Sequence, residues 1–298
     1  MRIFSPLPGE YIASALKRGN ELLGIKSIAT EDFYIKPIPR AGFGVSKCVM
    51  PLKAEWREHL KFKFPEFLSK HSVSENVLNN HTLHPLNAAL GRSRAHTEVT
   101  PKAWMRICPE CVLEDIETHG SPYIHCKHVP FSVVVCNIHG SALIESCPHC
   151  SVPIREHGIT KLGTCSRLHR HSKHSNAQPN STTRLYSQFI ADLLSYRGAM
   201  AKRTLADAII HQSVLLRYAK RHARTKSSLG LTKIIYRELG ISIELDKNIR
   251  LQDKNLSLCA FTGCRTAENY LDLLTNEKAR NLLNNTLDDA GVYKWQPY

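Results

Sequence analysis

Four short motifs, each with two cysteines or with one cysteine and one histidine, constrain the fold of this chain more than any other feature of its sequence. A pair at this spacing directs two soft ligands at one point, and two such pairs complete the tetrahedron that Zn²⁺ prefers. The sequence therefore predicts two zinc-binding modules. The pairs are Cys108-Pro-Glu-Cys111, Cys136-Asn-Ile-His139, Cys147-Pro-His-Cys150 and Cys165-Ser-Arg-Leu-His169.

The pairs divide into two ligand sets in chain order, one for each of two zinc ions per chain. The fourth ligand of the second set stays open, because His157, His171 or His174 could replace His169 in a stretch crowded with imidazoles. Disulfides are the alternative, but no apolar signal segment occupies the first nine residues, so we expect a bacterial cytoplasmic protein with reduced thiols. The first set is Cys108, Cys111, Cys136 and His139, and the second is Cys147, Cys150, Cys165 and His169.

Four protein ligands at each metal leave no open position for an activated water. Glu110 and Glu145 lie near ligands in the sequence, but nothing in the pattern marks either as a general base. The sequence also has no carboxylate cluster, nucleophile elbow or glycine-rich phosphate loop, which disfavours a zinc-dependent hydrolase or nuclease. We therefore expect structural zinc, no catalytic residues and no enzymatic activity.

The net charge of +14 favours a polyanionic partner such as nucleic acid. The excess is concentrated in two stretches, 157–190 and 208–237, neither of which contains an Asp or Glu. Part of the second stretch repeats at helical spacing and would form a basic stripe. A solvated basic face without a specific partner explains the same pattern. The candidate nucleic-acid contacts are Arg167, Arg170, Lys173, Arg217, Lys220, Arg221 and Arg224.

The apolar periodicity predicts a mainly α fold with small zinc-knuckle modules. In the C-terminal domain, helices at 256–261 and 266–274 around a Thr-Gly-Cys turn could form a helix-turn-helix, although an αα-hairpin used only for packing gives the same pattern. Residues 152–154 resemble a short strand, and no apolar run is long enough to span a membrane. The predicted division is a helical N-terminal part at 1–104, tandem zinc knuckles at 105–174, a linker at 175–185 and a helical C-terminal domain at 186–298.

Several of these motifs together resemble the TniQ/TnsD family, over about residues 4–170. Two features depart from the family pattern. His128 stands where the family usually has a tryptophan, and the second ligand set ends in Cys165 and a histidine instead of a CxxC pair. The motifs that carry the resemblance are Pro8-Gly-Glu10, His81-Thr-Leu-His-Pro-Leu86, Arg106-Ile-Cys-Pro-Glu-Cys111, Gly120-Ser-Pro-Tyr123, Val135-Cys-Asn-Ile-His-Gly140, Leu143 and Cys147-Pro-His-Cys150.

The resemblance implies a non-enzymatic target-selection protein of a Tn7-like transposon. The partners it implies are a TnsC-like AAA+ ATPase that regulates transposition, target DNA, and Cascade subunits with guide RNA in a CRISPR-associated transposon. The sequence leaves open whether the protein forms a homodimer. Longer TnsD-type members bind an attachment site, whereas shorter TniQ-type members dock on Cascade, and 298 residues is nearer the short type. The residues alone indicate a zinc-stapled, basic protein, for which a stand-alone sequence-specific DNA-binding regulator is the alternative.

Overall fold

The computed structural model describes residues 6–22, 75–92, 105–165, 181–219, 237 and 256–289. Within these residues the regular structure is helical, as the sequence predicts, and β-pairing is limited to four isolated antiparallel bridges. None of the described helices is long and apolar enough to cross a membrane. The helices are α1 (Ile12–Leu22), α2 (Glu75–Asn80), α3 (His84–Ala89), α4 (Pro109–His119), α5 (Thr182–Leu193), α6 (Arg203–Ala219), α7 (Leu256–Cys264), α8 (Ala267–Thr275) and α9 (Glu277–Asp289), with 3₁₀ turns at Cys126–His128 and Ile159–Lys161.

The N-terminal segment is fastened to the central region beside a buried carboxylate. The N–H of Tyr11 donates to the carbonyl of Ile124 at 2.8 Å. Glu10 is fully buried and accepts hydrogen bonds from the Arg18 guanidinium at 2.7 and 3.0 Å and from the Ser14 hydroxyl at 3.0 Å. A buried carboxylate is tolerated only when it is paired and hydrogen-bonded in this way. Glu10 of the Pro-Gly-Glu motif therefore fixes the start of α1 against the zinc region.

Helix α4 starts directly at the first cysteine pair. Cys108 is its N-cap and Pro109 its first residue, where the missing N–H of proline costs no helical hydrogen bond. Gly120 ends the helix in the left-handed conformation, with φ of 69°, and its N–H donates to the carbonyl of Ile116. Because Cys108 and Cys111 lie within one helical turn, their thiols can face the same point.

The C-terminal helices build one hydrophobic core together with α3. The rings of Tyr186 and Phe189 on α5 stand edge-on to the ring of Phe261 on α7, at centroid distances of 5.4 and 5.6 Å. Leu86 from α3 and Val133 from the central region belong to the same buried cluster. This core therefore crosses the predicted boundary near residue 104 and the predicted linker, and the division into domains stays a prediction.

Some element boundaries differ from those expected from the sequence. Helix α5 begins at Thr182, inside the predicted linker, because the Ser181 side chain accepts the N–H of Arg184 and caps it. Helix α7 continues through the predicted Thr-Gly-Cys turn, and the chain reverses at Arg265, whose φ is 66°. The predicted strand at 152–154 is wrong, since its only β-pairing is a single bridge between Ser146 and Pro153.

Candidate metal centres

The first ligand set is gathered at one point by α4 and the loop that follows Val135. Cys108, Cys111, Cys136 and His139 each present a ligand atom, and these atoms lie within 4.8 Å of one another. The three cysteines are almost completely buried. The loop is closed by an N–H of Gly140 that donates to the Cys136 carbonyl at 2.9 Å, so the second pair is held as tightly as the first.

The separations within this first cluster fit a tetrahedral zinc ion. With Zn–S bonds of about 2.3 Å and Zn–N bonds of about 2.0 Å, a tetrahedron needs S···S edges of about 3.8 Å and S···N edges of about 3.5 Å. The Cys111 and Cys136 sulfurs are 3.7 Å apart. The His139 Nδ1 lies 3.4 Å from the sulfurs of Cys108 and Cys111 and 3.7 Å from that of Cys136. The residues therefore fit the metal that their spacing predicts.

The three thiols also show why this cluster calls for a cation. Hydrogen bonds from Cys108 and Cys111 hold the pKa of Cys136 well below its usual range. The contacts of Cys111 with Cys108 and then Cys136, together with burial, raise the pKa of Cys111. Three thiols this close cannot all ionise without a positive charge among them. A divalent cation would stabilise the thiolate forms by binding all three sulfurs.

Glu114 is not a candidate ligand of the first cluster, but it contacts one of the four candidate ligands. It lies one helical turn after Cys111 on α4, and its Oε1 accepts a hydrogen bond from the Nε2 of His139 at 2.9 Å. This contact assigns the proton to Nε2 and leaves Nδ1 as the ligand atom. A carboxylate behind a metal-binding histidine orients the ring and increases its basicity. The helical spacing from Cys111 was the signal in the sequence that could have identified Glu114.

Arg106 organises the loop between the two halves of the first cluster. Its buried guanidinium donates to the carbonyls of Val133 at 2.7 Å, His128 at 3.0 Å, Pro130 at 2.6 Å and Phe131 at 3.3 Å. Burial lowers the pKa of Arg106 to about 10, so the side chain remains charged at neutral pH. The position of the loop that leads to Cys136 therefore depends on one cation, which the sequence showed only as part of a motif.

The second cluster contains three of the four residues in the predicted set. Cys147, Cys150 and Cys165 lie together with His157, and the four ligand atoms are within 4.8 Å of one another. The Cys147 and Cys165 sulfurs are 3.4 Å apart. The Nδ1 of His157 donates to the Gly158 carbonyl at 2.7 Å, which leaves Nε2 to act as a ligand. His157 is the alternative that the sequence left open, whereas His169 lies outside the described residues.

The candidate nucleic-acid contacts fall mostly outside the part of the chain that the structure describes. Arg217 is the exception, and its side chain is exposed in the last turn of α6. The basic stripe therefore stays a prediction. The candidate contacts that the structure does not describe are Arg167, Arg170, Lys173, Lys220, Arg221 and Arg224.

The comparison with known protein families identifies the N-terminal and central parts of the chain. Residues 2–143 match the protein-family model TniQ. The matched span contains the Pro-Gly-Glu motif and all four members of the first cluster, while the second cluster lies beyond it. No curated protein matches the chain.

Proposed function

The chain belongs to the TniQ family, and on that premise we propose that it is a target-selection adaptor of a Tn7-like transposon. The match over residues 2–143 is the observation that carries this proposal. In this role the protein links a DNA-targeting element, either an RNA-guided Cascade complex or an attachment site, to an AAA+ ATPase that regulates transposition. The net charge of +14 suits assembly on nucleic acid.

Zinc in this proposal is structural. The first ion is held by Cys108, Cys111, Cys136 and His139, and the second by Cys147, Cys150, Cys165 and a histidine. The geometry favours His157 as that histidine, because it already lies within the cluster. When bound, the metal supplies cross-links between distant loops. Four protein ligands leave no position for a reactive water, so we propose no catalytic role for either site.

The alternative of a stand-alone DNA-binding regulator is less well supported. In a helix-turn-helix, the second helix enters the major groove and approaches phosphates. That helix here would be α8, whose exposed face carries Glu268 and Asp272, and residues 267–275 contain no Lys or Arg. Acidic side chains at this place would be repelled by the phosphate backbone. This pair of helices suits packing better than reading DNA.

Targeted transposition in cells tests the proposed function. Deleting the gene should abolish insertion at the chosen target, and the intact protein should restore it. Purified protein should also bind the transposon's AAA+ ATPase, and co-purification with Cascade subunits would separate RNA-guided targeting from direct recognition of an attachment site. Unchanged frequency and site preference of insertion after deletion would exclude the target-selection role.

A further inference from the structure

A cleft of about 710 Å³ lies between the N-terminal region and the end of α5. Four separate segments line it: the Pro6–Gly9 turn, the end of α2 with the two residues after it, His125 with the 3₁₀ turn that follows, and the end of α5 with the residues after it. Leu194, in the cleft wall, packs against both of the large hydrophobic clusters. The cleft therefore lies where the two cores meet, and parts of both N-terminal motifs that resemble the family line it.

The charge of the cleft has one sign. Lys127 and Arg197 line it, together with His81 and His125, and no Asp or Glu is among the described lining residues. Asp115 binds the Nε2 of His125 at 2.9 Å, so the positive charge of the lining rests on Lys127 and Arg197. A basic cleft without carboxylates attracts an anion, and a low-dielectric wall on each side strengthens that attraction.

The two cations of the cleft differ in how firmly they are held. Arg197 donates to the carbonyls of Leu194 at 3.0 Å and Tyr196 at 2.9 Å and to the Oδ1 of Asn80 at 2.7 Å. Its guanidinium is thereby fixed at the cleft edge and still has unused N–H groups. Lys127 has no carboxylate partner among the described residues and is half-buried on the 3₁₀ turn. One cation is positioned in advance, and the other is available to neutralise a ligand.

The residue types that line the cleft distinguish among the kinds of anionic molecule that could bind there. Single-stranded nucleic acid is bound by stacking its bases on aromatic side chains, and the lining contains no Phe, Tyr or Trp. A peptide that binds as an added strand would need an open strand edge, and the described part of the cleft has none. Lys, Arg, Asn, Ser and Thr side chains, which this lining does contain, are the usual contacts to duplex phosphates.

We propose that this cleft binds the sugar–phosphate backbone of duplex DNA, with Lys127 and Arg197 as the principal phosphate contacts. The choice of DNA rests on the proposed target-selection function. The contact positions the protein on DNA and carries no sequence specificity, because phosphates are the same at every base pair. Arg217, the described member of the predicted basic stripe, is not among the residues that line this cleft.

The test compares two double variants that lower the net charge equally. Lys127→Gln/Ser195→Asp changes the cleft, where Ser195 is exposed, and Lys202→Gln/Lys278→Gln changes exposed residues elsewhere. Binding of the full chain to a short fluorescein-labelled DNA duplex of arbitrary sequence is measured by anisotropy over a range of salt concentrations. The cleft variant should bind about tenfold more weakly, and its log–log salt slope should fall by roughly one to two units. The control variant should change much less, and both should keep the zinc content and melting temperature of the parent.

Equal losses in the two variants, or no loss in the cleft variant, would overturn the proposal. A loss confined to a labelled RNA strand or to a labelled polyglutamate peptide would overturn it as well, since the occupant would then not be DNA. The parent protein itself must bind the duplex. The DNA-binding test and the transposition assay can fail independently. A cleft variant that binds DNA normally would leave the target-selection role intact. A negative transposition assay would not alter the measured affinity of the protein for DNA.

Discussion

Arg106 and Glu114 are the two single residues on which the geometry of the first cluster depends most. Arg106 holds four backbone carbonyls of the loop before Cys136, and Glu114 holds the ring of His139. Neither is a candidate ligand. Each acts by fixing the place from which a ligand approaches, which is the role that outer residues commonly have around bound metals.

Replacing Arg106 by lysine should destabilise the fold by about 2–4 kcal/mol. A compact ammonium group cannot reach carbonyls that a planar guanidinium bridges, and buried carbonyls left without donors are costly. Urea denaturation of zinc-loaded protein measures the effect. Arg155→Lys is the matched control, because the Arg155–Glu156 ion pair is exposed and should contribute little. Equal stability of the two variants would contradict the structural role of Arg106.

Replacing Glu114 by alanine should weaken zinc binding at the first cluster about 10- to 100-fold. The ring of His139 would lose the acceptor that orients it and increases its basicity. Competition with a chromophoric chelator measures the affinity, and the second zinc should be unaffected. Glu117→Ala removes an exposed carboxylate from the same helix and should leave both affinities unchanged. A similar response of the two variants would show that Glu114 has no special part in binding.

At the scale of helices, the contact between α6 and α7 depends on the absence of a side chain at Gly263. A Cβ there would lie 2.5 Å from the Cβ of Ser213 and 3.0 Å from its backbone carbon, closer than atoms can approach. The two helices can therefore pack only at a glycine. Helix α7 is buried along nearly its whole length, so it has no room to move away.

Gly263→Ala should lower the free energy of unfolding by about 1–3 kcal/mol, because overpacking outweighs the gain in helix propensity of about 1 kcal/mol. Thermal unfolding followed by circular dichroism measures it. Gly158→Ala is the control, since its Cβ would come no nearer than 3.3 Å to another atom, the side-chain tip of Glu21. A stabilised Gly263→Ala variant would mean that α6 and α7 are not packed this closely.

At the scale of the whole molecule, two candidate metal-binding clusters join parts of the chain that regular secondary structure does not connect. Between residues 105 and 165 the structure describes one α-helix, two 3₁₀ turns and isolated bridges. The region is mostly irregular backbone, and metal coordination at both clusters would then supply much of its folding free energy. The zinc content therefore reports on the integrity of the whole central region.

Elemental analysis of folded protein should give two zinc ions per chain. His157→Ala should reduce the content toward one, because the variant loses a ligand that lies within the second cluster. His169→Ala should retain two. Cys136→Ser should leave misfolded protein, since it removes a ligand from the buried cluster. If His157→Ala keeps two zinc ions and His169→Ala loses one, the fourth ligand of the second cluster is His169.

The sequence by itself determined the features that depend on short spacing. The helical class follows from apolar periodicity, and the grouping of Cys108 with Cys111 and of Cys136 with His139 follows from the few residues between them. Short separations leave the backbone few alternatives, so such pairs can be recognised without a structure. The capping of α8 by Thr266 is local in the same way, because one side chain accepts the N–H three residues on.

Only the tertiary structure decided the features that join residues far apart in the chain. His157 lies within the second cluster, Arg106 reaches carbonyls more than twenty residues away, and Leu86 shares a core with α5. The basic cleft is formed by four segments that lie far apart in the sequence. Such contacts depend on how whole elements pack, and packing is a sum over many weak interactions that no local pattern records.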